Sequence, residues 1–458
     1  MRMSRLLSLL VAPLVAGCST LDSMVPSMPN LGLGLGQPSF QAAKTTGLTV
    51  ADEPFAAQAG ASVLAQGGSA ADAVSAMFIA LSATYPVAAG LGGGGICLVR
   101  DAQGRGREFD FLARAANSGG GLAVPGAVAG FADLQKAYGT LPWQRVVAPG
   151  EAYAATGFPI SHVLALRLQS SQNLIRNDAG LRSEFLDGSG RPKAEGTVVS
   201  NRALSVTLGT VRLAGADGFY SGTVAAGLVA ASAAAGAPLS AAELSGYRAS
   251  QAPARTASLG SVSALVPGPS TGAGAFIAGV IGNLGSGDPE VAVVGALRKA
   301  LAGFNIQSVP PDLGATSFAA LDSKGQAAAC AVTMNGPFGS GRTAGDTGVG
   351  FAASPATPAG LSSAFLTPMI GVGGGQTVLA GAGSGGPNGS GAILYALLRL
   401  AAGQRIGRSA DLLSTGLAPL VTANTIACQN SLCVALPDPG GNGLGARVDD
   451  LQTSARGG

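Results

Sequence analysis

The sequence predicts a layered protein of helices and β-strands that folds as one large unit, and three observations carry that expectation. At 458 residues the chain exceeds one small core but suits a single layered unit. Two helical patterns follow one another at 52–66 and 69–86, each opening on capping residues. Farther on, Thr316–Leu321 and Gln326–Met334 are short apolar runs separated by Asp322-Ser323-Lys324-Gly325, whose Asp start and Gly end are the turn chemistry of a β-hairpin.

Hydrophobic residues make up 47% and charged ones 11%, with a net charge of +3, which excludes a long disordered polyelectrolyte and gives no reason to invoke nucleic acid. The mean hydropathy of +0.38 owes much to Ala, and the apolar runs are broken by Gly, Pro or Ser. The longest, Ala73 to Leu91, contains Pro86 and reads as a buried helix followed by a loop rather than a membrane span.

The N-terminus differs in kind. Arg2 and Arg5 precede the apolar run Leu6–Ala16, and Val15-Ala16-Gly17-Cys18 follows, so residues 1–17 read as a signal peptide. Small residues directly before a cysteine resemble a bacterial lipobox, which implies cleavage before Cys18 and lipidation of its sulfur. Ser19 rather than Asp after the cysteine then favours the outer membrane, with the protein on its periplasmic side. Residues 18–44, rich in Ser, Pro, Gly and Leu, read as a tether.

Four cysteines remain. Cys428 and Cys433, in CQNSLC, are placed to close a small disulfide loop in an oxidising compartment. Cys97 and Cys330 sit in apolar strand-like runs, so free buried thiols are the expectation and a bridge between them the alternative. None of the four has a CxxC partner or a nearby His, which argues against zinc.

In chain order, Asp52-Glu53-Pro54 opens the first helix, which Gly67-Gly68 stops. Ser69-Ala70-Ala71-Asp72 opens the second as a capping-box-like signal, and it ends near Pro86. Gly92–Gly95 then feeds the strand-like Ile96–Val99. A phosphate-cradling loop should follow a strand and open a helix, so this run implies close approach of a neighbouring backbone or a substrate instead.

The run from Ala51 to Asp101, together with VPGAVAGFADLQKAYGTLPWQRVVAPGEAYAATGFPIS at 124–161, GADGFYSGTVAAGLV at 215–229, LSAAELSGYRA at 239–249 and PGPSTGAG at 267–274, resembles the gamma-glutamyltranspeptidase family in the same order. The resemblance covers roughly residues 45–405. It implies an α+β fold, the Ntn-hydrolase four-layer αββα sandwich. It also implies a self-cleaving precursor with a large-subunit-like part at 45–315 and a small-subunit-like part at 316–458, which stay associated. The nucleophile would be an N-terminal Thr316, acting on a small gamma-glutamyl (glutathione-type) amide through an acyl-enzyme. No metal or cofactor is implied, and the membrane is met only through the lipid anchor.

That chemistry suits a chain with a single His. A Thr hydroxyl is a weak nucleophile, and its own free α-amine, with a pKa of roughly 8, can act as base. A Ser-His-Asp triad would have to use His162, which reads as an ordinary surface or half-buried histidine. By the resemblance, Thr333 hydrogen-bonds the nucleophile and Asn335 holds the α-amino acid end of the substrate. Ser362 and Ser363, in Leu-Ser-Ser, bind its carboxylate, and the backbone N–H groups of Gly385 and Gly386 form the oxyanion hole.

Three departures mark the chain. The family's carboxylate-binding Arg follows an Asp-Phe pair, yet Leu112 follows Asp110-Phe111 here, leaving Arg114 as the substitute two residues on. The acids that hold the substrate's amino group have no counterpart in 349–361. Finally, the nucleophile position seven residues before the turn Asp falls on Ala315, one residue before Thr316. A three-residue loop with Gly325 as the bulge pairs Asp322 with Gln326 and sets Ala315 opposite Thr333, whereas a four-residue loop sets Thr316 on that face. The expected enzyme therefore has two competitors: an uncleaved, non-catalytic binding or scaffold lipoprotein, and an acylase for non-glutamyl amides.

Overall fold

The computed structural model describes residues 46–406 and 420–449. The leader, Cys18 and the tether lie outside these residues.

Thirteen strands form two stacked antiparallel sheets. The first contains β1 (Leu48–Ala51), β2 (Gly94–Arg100), β3 (Gly106–Asp110), β4 (Ser250–Pro253), β7 (Ala315–Leu321), β8 (Ala327–Thr333) and β13 (Leu444–Arg447), in the order β13-β1-β7-β8-β2-β3-β4. The second contains β5 (Arg255–Leu259), β6 (Val262–Val266), β9 (Thr367–Gly373), β10 (Gln376–Ser384), β11 (Thr422–Gln429) and β12 (Leu432–Leu436), in the order β12-β11-β10-β9-β6-β5. Helices α1 (Pro54–Ala65), α2 (Ala70–Thr84) and α3 (Ala127–Tyr138) cover the first sheet, and α4 (Trp143–Thr156) packs on α2. Helices α5 (Gly272–Gly282), α6 (Pro289–Gly303) and α7 (Pro387–Ala401) cover the second. The result is the expected αββα sandwich, one hydrophobic layer per interface.

Side-chain alternation in the central hairpin shows why. Phe318, Ala320, Cys330 and Val332 face the helices, while Ala319, Leu321, Ala327 and Ala329 meet Ile370, Ala380 and Ile426 of the second sheet. Phe318 lies over Phe131 of α3, which stacks on Phe78 of α2 with centroids 4.3 Å apart. The run 73–91 folds as a buried helix and then a loop. Among the described residues no helix is long and apolar enough to cross a membrane.

Local signals act as their chemistry demands. Ser69 and Asp72 form a reciprocal capping box at α2, whereas Glu53 rather than Asp52 caps α1, its Oε2 accepting Ala56 N–H at 3.0 Å. The glycine run serves close backbone approach: a Cβ on Gly94 would lie 2.2 Å from Ala113 N, and one on Gly95 2.5 Å from Ala331 O. Cys428 and Cys433 are bridged across β11 and β12. Cys97 and Cys330, expected as free thiols, are also bridged. They face each other across β2 and β8 on the helix-covered face, a pairing that separate strand patterns do not reveal.

Burial raises three carboxyls well above their ordinary range: Glu53 to about 7, Glu184 to about 8 and Asp438 to about 7. A raised acid favours the folded state in its protonated form, so its contribution is complete below the unfolded pKa and is lost as pH rises through the folded value. Chemical denaturation should therefore show stability falling between about pH 5 and 8. Glu53→Gln should flatten that slope; an unchanged slope would show that Glu53 does not titrate there.

Candidate active site

The site is built on one end of the central hairpin, and the hairpin's other end decides what it contains. Asp322 N–H donates to Gln326 O at 3.0 Å and Gly325 N–H to Asp322 O at 3.2 Å. The Asp322 carboxylate accepts the N–H groups of Lys324 and Gln326, each at 2.9 Å, and that of Ala70 at the start of α2 at 3.2 Å. Gly325 takes φ +85°, the left-handed conformation a bulged three-residue loop requires.

From that turn the ladder runs Leu321 to Ala327 through to Ala315 opposite Thr333, with Thr316 opposite Val332. Ala315 packs with Ile96, Ala273, Ala331, Leu366 and Ala382 between the sheets, and Leu112 closes this cluster. Of the two registers the sequence leaves open, the ladder is that of the three-residue loop, and the one-residue step turns Thr316 to the face opposite that of Thr333. Thr316 is wholly buried, and its hydroxyl donates to Asp52 Oδ2 at 2.6 Å. Asp52 also accepts from Thr422 Oγ1 at 2.8 Å and Asn424 Nδ2 at 2.6 Å, and burial raises its pKa.

Thr333 is the polar hub on Ala315's side. Its Oγ1 accepts Asn335 N–H at 2.8 Å, lies 2.6 Å from Ser362 Oγ and reaches the Gly314 carbonyl at 3.0 Å. Asn335 takes φ +58°, and its Nδ2 donates to Ala353 O at 2.9 Å, while its buried Oδ1 has no hydrogen-bond partner among the described residues. An unsatisfied buried acceptor costs about 1–3 kcal/mol, so this oxygen is suited to a donor brought by a ligand. Thr333, Ser362 and Asn335 are thus brought together. Ser363 turns away to donate to Gly360 O at 2.8 Å.

Arg114 does not join them. It is exposed, lies 4.5 Å over the Tyr247 ring and donates to Arg248 O, so it does not substitute for the missing Arg at Leu112. Gly385 and Gly386, at φ +80° and +158°, turn the chain from β10 into α7. A Cβ on Gly385 would lie 2.1 Å from Leu420 O. The adjoining Ser384 meets Thr422, which places this strand end beside the Asp52 network.

Two features were not anticipated from sequence. Asp52 reads locally as a helix cap, and its role arises from partners 264 and more residues away. Arg167 is fully buried, paired with Asp312 and stacked over Tyr85, and Asp312 Oδ1 in turn accepts Gly314 N–H at 2.8 Å. That pair fixes the chain where it enters β7, at Gly314. Here φ is +57° and a Cβ would lie 1.8 Å from Gly336 O.

The architecture is that of the Ntn hydrolases. A cephalosporin acylase from Bacillus halodurans superposes with a TM-score of 0.69 at 17% identity, covering 93% of this chain and 99% of that one. The gamma-glutamyltranspeptidase of Helicobacter pylori gives 0.53 at 24% identity, covering 58% and 85%. Residues 56–285 match the family model Gamma-glutamyltranspeptidase, and the chain belongs to that family. Among curated relatives, Glutathione hydrolase 2 of Arabidopsis thaliana is 33% identical over 40% of this chain and 34% of its own length. Glutathione hydrolase proenzyme of Escherichia coli K12 is 29% identical over 47% and 41%. The chain thus spans well under half the length of these relatives.

Ser362→Ala removes a buried partner of Thr333. It should lower stability to urea by about 1–2 kcal/mol. A midpoint equal to the parent's would show that the Thr333–Ser362 contact contributes nothing.

Proposed function

We propose that this chain is a non-catalytic, uncleaved member of the gamma-glutamyltranspeptidase family that uses the groups around Thr333, Asn335 and Ser362 as a binding site. The carrying observation is the register that places Ala315 opposite Thr333. A methyl group there offers no oxygen to attack an amide, and no hydroxyl for the rearrangement that would free an N-terminal nucleophile. Leu112 in the carboxylate-binding position and the acid-free stretch 349–361 point the same way, because a glutamyl group would find neither of its charge partners. What persists is recognition chemistry: the unpartnered Asn335 Oδ1 beside Thr333 and Ser362 suits a ligand with an N–H donor, and the apolar wall suits a compact acyl group. The two bridges accord with an oxidising compartment, and with the lipobox-like Cys18 they support a lipoprotein on the periplasmic face of an outer membrane.

The second reading keeps an enzyme, a gamma-glutamyl hydrolase or an acylase for non-glutamyl amides using Thr316. The observation favouring it is the 2.6 Å bond from Thr316 Oγ1 to Asp52, a buried carboxylate able to take a proton. A γ-glutamyl anilide and a glutaryl anilide lacking the α-amine separate the readings. The non-catalytic protein releases no anilide from either substrate, with or without Thr316→Ala. Turnover abolished by Thr316→Ala would establish the enzyme, with equal rates on both substrates marking the acylase.

A further inference from the structure

At the opposite end of the sandwich from Ala315, the turns of both sheets enclose a cleft lined by Arg100, Gln103, Ser323, Lys324 and Thr377. Arg100 is the last residue of β2, opposite Ala327, and is only 8% exposed. Its guanidinium crosses to the second sheet, where Nη2 donates to Gly375 O at 2.6 Å and Nη1 to Thr377 Oγ1 at 3.2 Å. Both acceptors are neutral. Five N–H donors surround a guanidinium, so three remain, and among the described residues the buried Nε has no hydrogen-bond partner.

Among the described residues no carboxylate forms an ion pair with this cation. Asp101 is engaged by Arg105 at 2.7 Å. Asp322 is occupied by the backbone N–H groups of Ala70, Lys324 and Gln326. Asp101 acts on Arg100 only as a coulombic neighbour, so a largely buried cation whose hydrogen bonds all go to neutral groups gains when an opposite charge arrives. Lys324 adds a second, exposed cation on the cleft's rim.

We propose that this cleft is a binding site for a phosphate-type oxyanion, with Arg100 supplying a fixed fork of donors and Lys324 a mobile point charge. Arg suits such anions because its donors match their geometry, and Lys adds charge without fixing orientation. The hydroxyl of Ser323 and the amide of Gln103 lie on the same rim. The anion could be free or the headgroup of a lipid, since both present the same oxygens.

Equilibrium dialysis of the purified full-length protein against radiolabelled inorganic phosphate, at ionic strength held with chloride, tests the site. Binding near one per chain is expected. Lys324→Gln, an exposed change that leaves the fold alone, should weaken it about tenfold, and Arg100→Gln should remove it. Cosedimentation with phosphatidylglycerol vesicles, against phosphatidylcholine, distinguishes the sources: binding to the anionic vesicles that Lys324→Gln weakens, without uptake of free phosphate, identifies a lipid headgroup. No Lys324-sensitive binding in either assay overturns the proposal.

Discussion

The hydrogen bond from Asp322 N–H to the Gln326 carbonyl sets the strand register on which the rest of the site depends. It closes a three-residue loop, and Gly325 in the left-handed conformation makes the loop fit. Because side chains alternate with a period of two, this one choice carries six residues up the ladder and delivers Ala315, not Thr316, to Thr333. The turn is itself anchored, since Asp322 also accepts an N–H from the start of α2. Moving the register would break that contact and turn Phe318 away from Phe131 into the inter-sheet layer.

Around that position the fold keeps Thr333, Ser362 and Asn335 together and sets the methyl group of Ala315 opposite Thr333. Thr333, Ser362 and Asn335 remain in contact, and Asn335 keeps an acceptor that no described residue satisfies. Leu112, Leu366 and Ala382 make the remaining wall apolar. Thr316, the hydroxyl that chemistry would need, is instead absorbed into a buried network with Asp52, Thr422 and Asn424 that links β1 and β7 to the second sheet. There its polarity ties the two sheets together.

Much of this was legible because the relevant signals are local. The capping box at Ser69, the glycine run before β2 and the Asp322–Gly325 turn each state their conformation within a few residues. The motif order carried the αββα fold, and the bulged loop at Gly325 that the structure adopts was one of the two registers the turn allowed. What escaped depends on distance in sequence. The Cys97–Cys330 bridge joins residues 233 positions apart. Arg114 lies on a strand pattern that says nothing of Tyr247, the ring over which its guanidinium sits. Asp52 looks like a helix cap until β7 and β11 close around it.

The central claim is that Ala315 holds the nucleophile position and the chain stays whole across it. Intact-mass analysis of the purified protein, denatured after prolonged incubation at neutral pH, addresses this directly. The account predicts one polypeptide that runs unbroken through Ala315 and Thr316. Two polypeptides, the smaller beginning Thr-Ser-Phe, would contradict it.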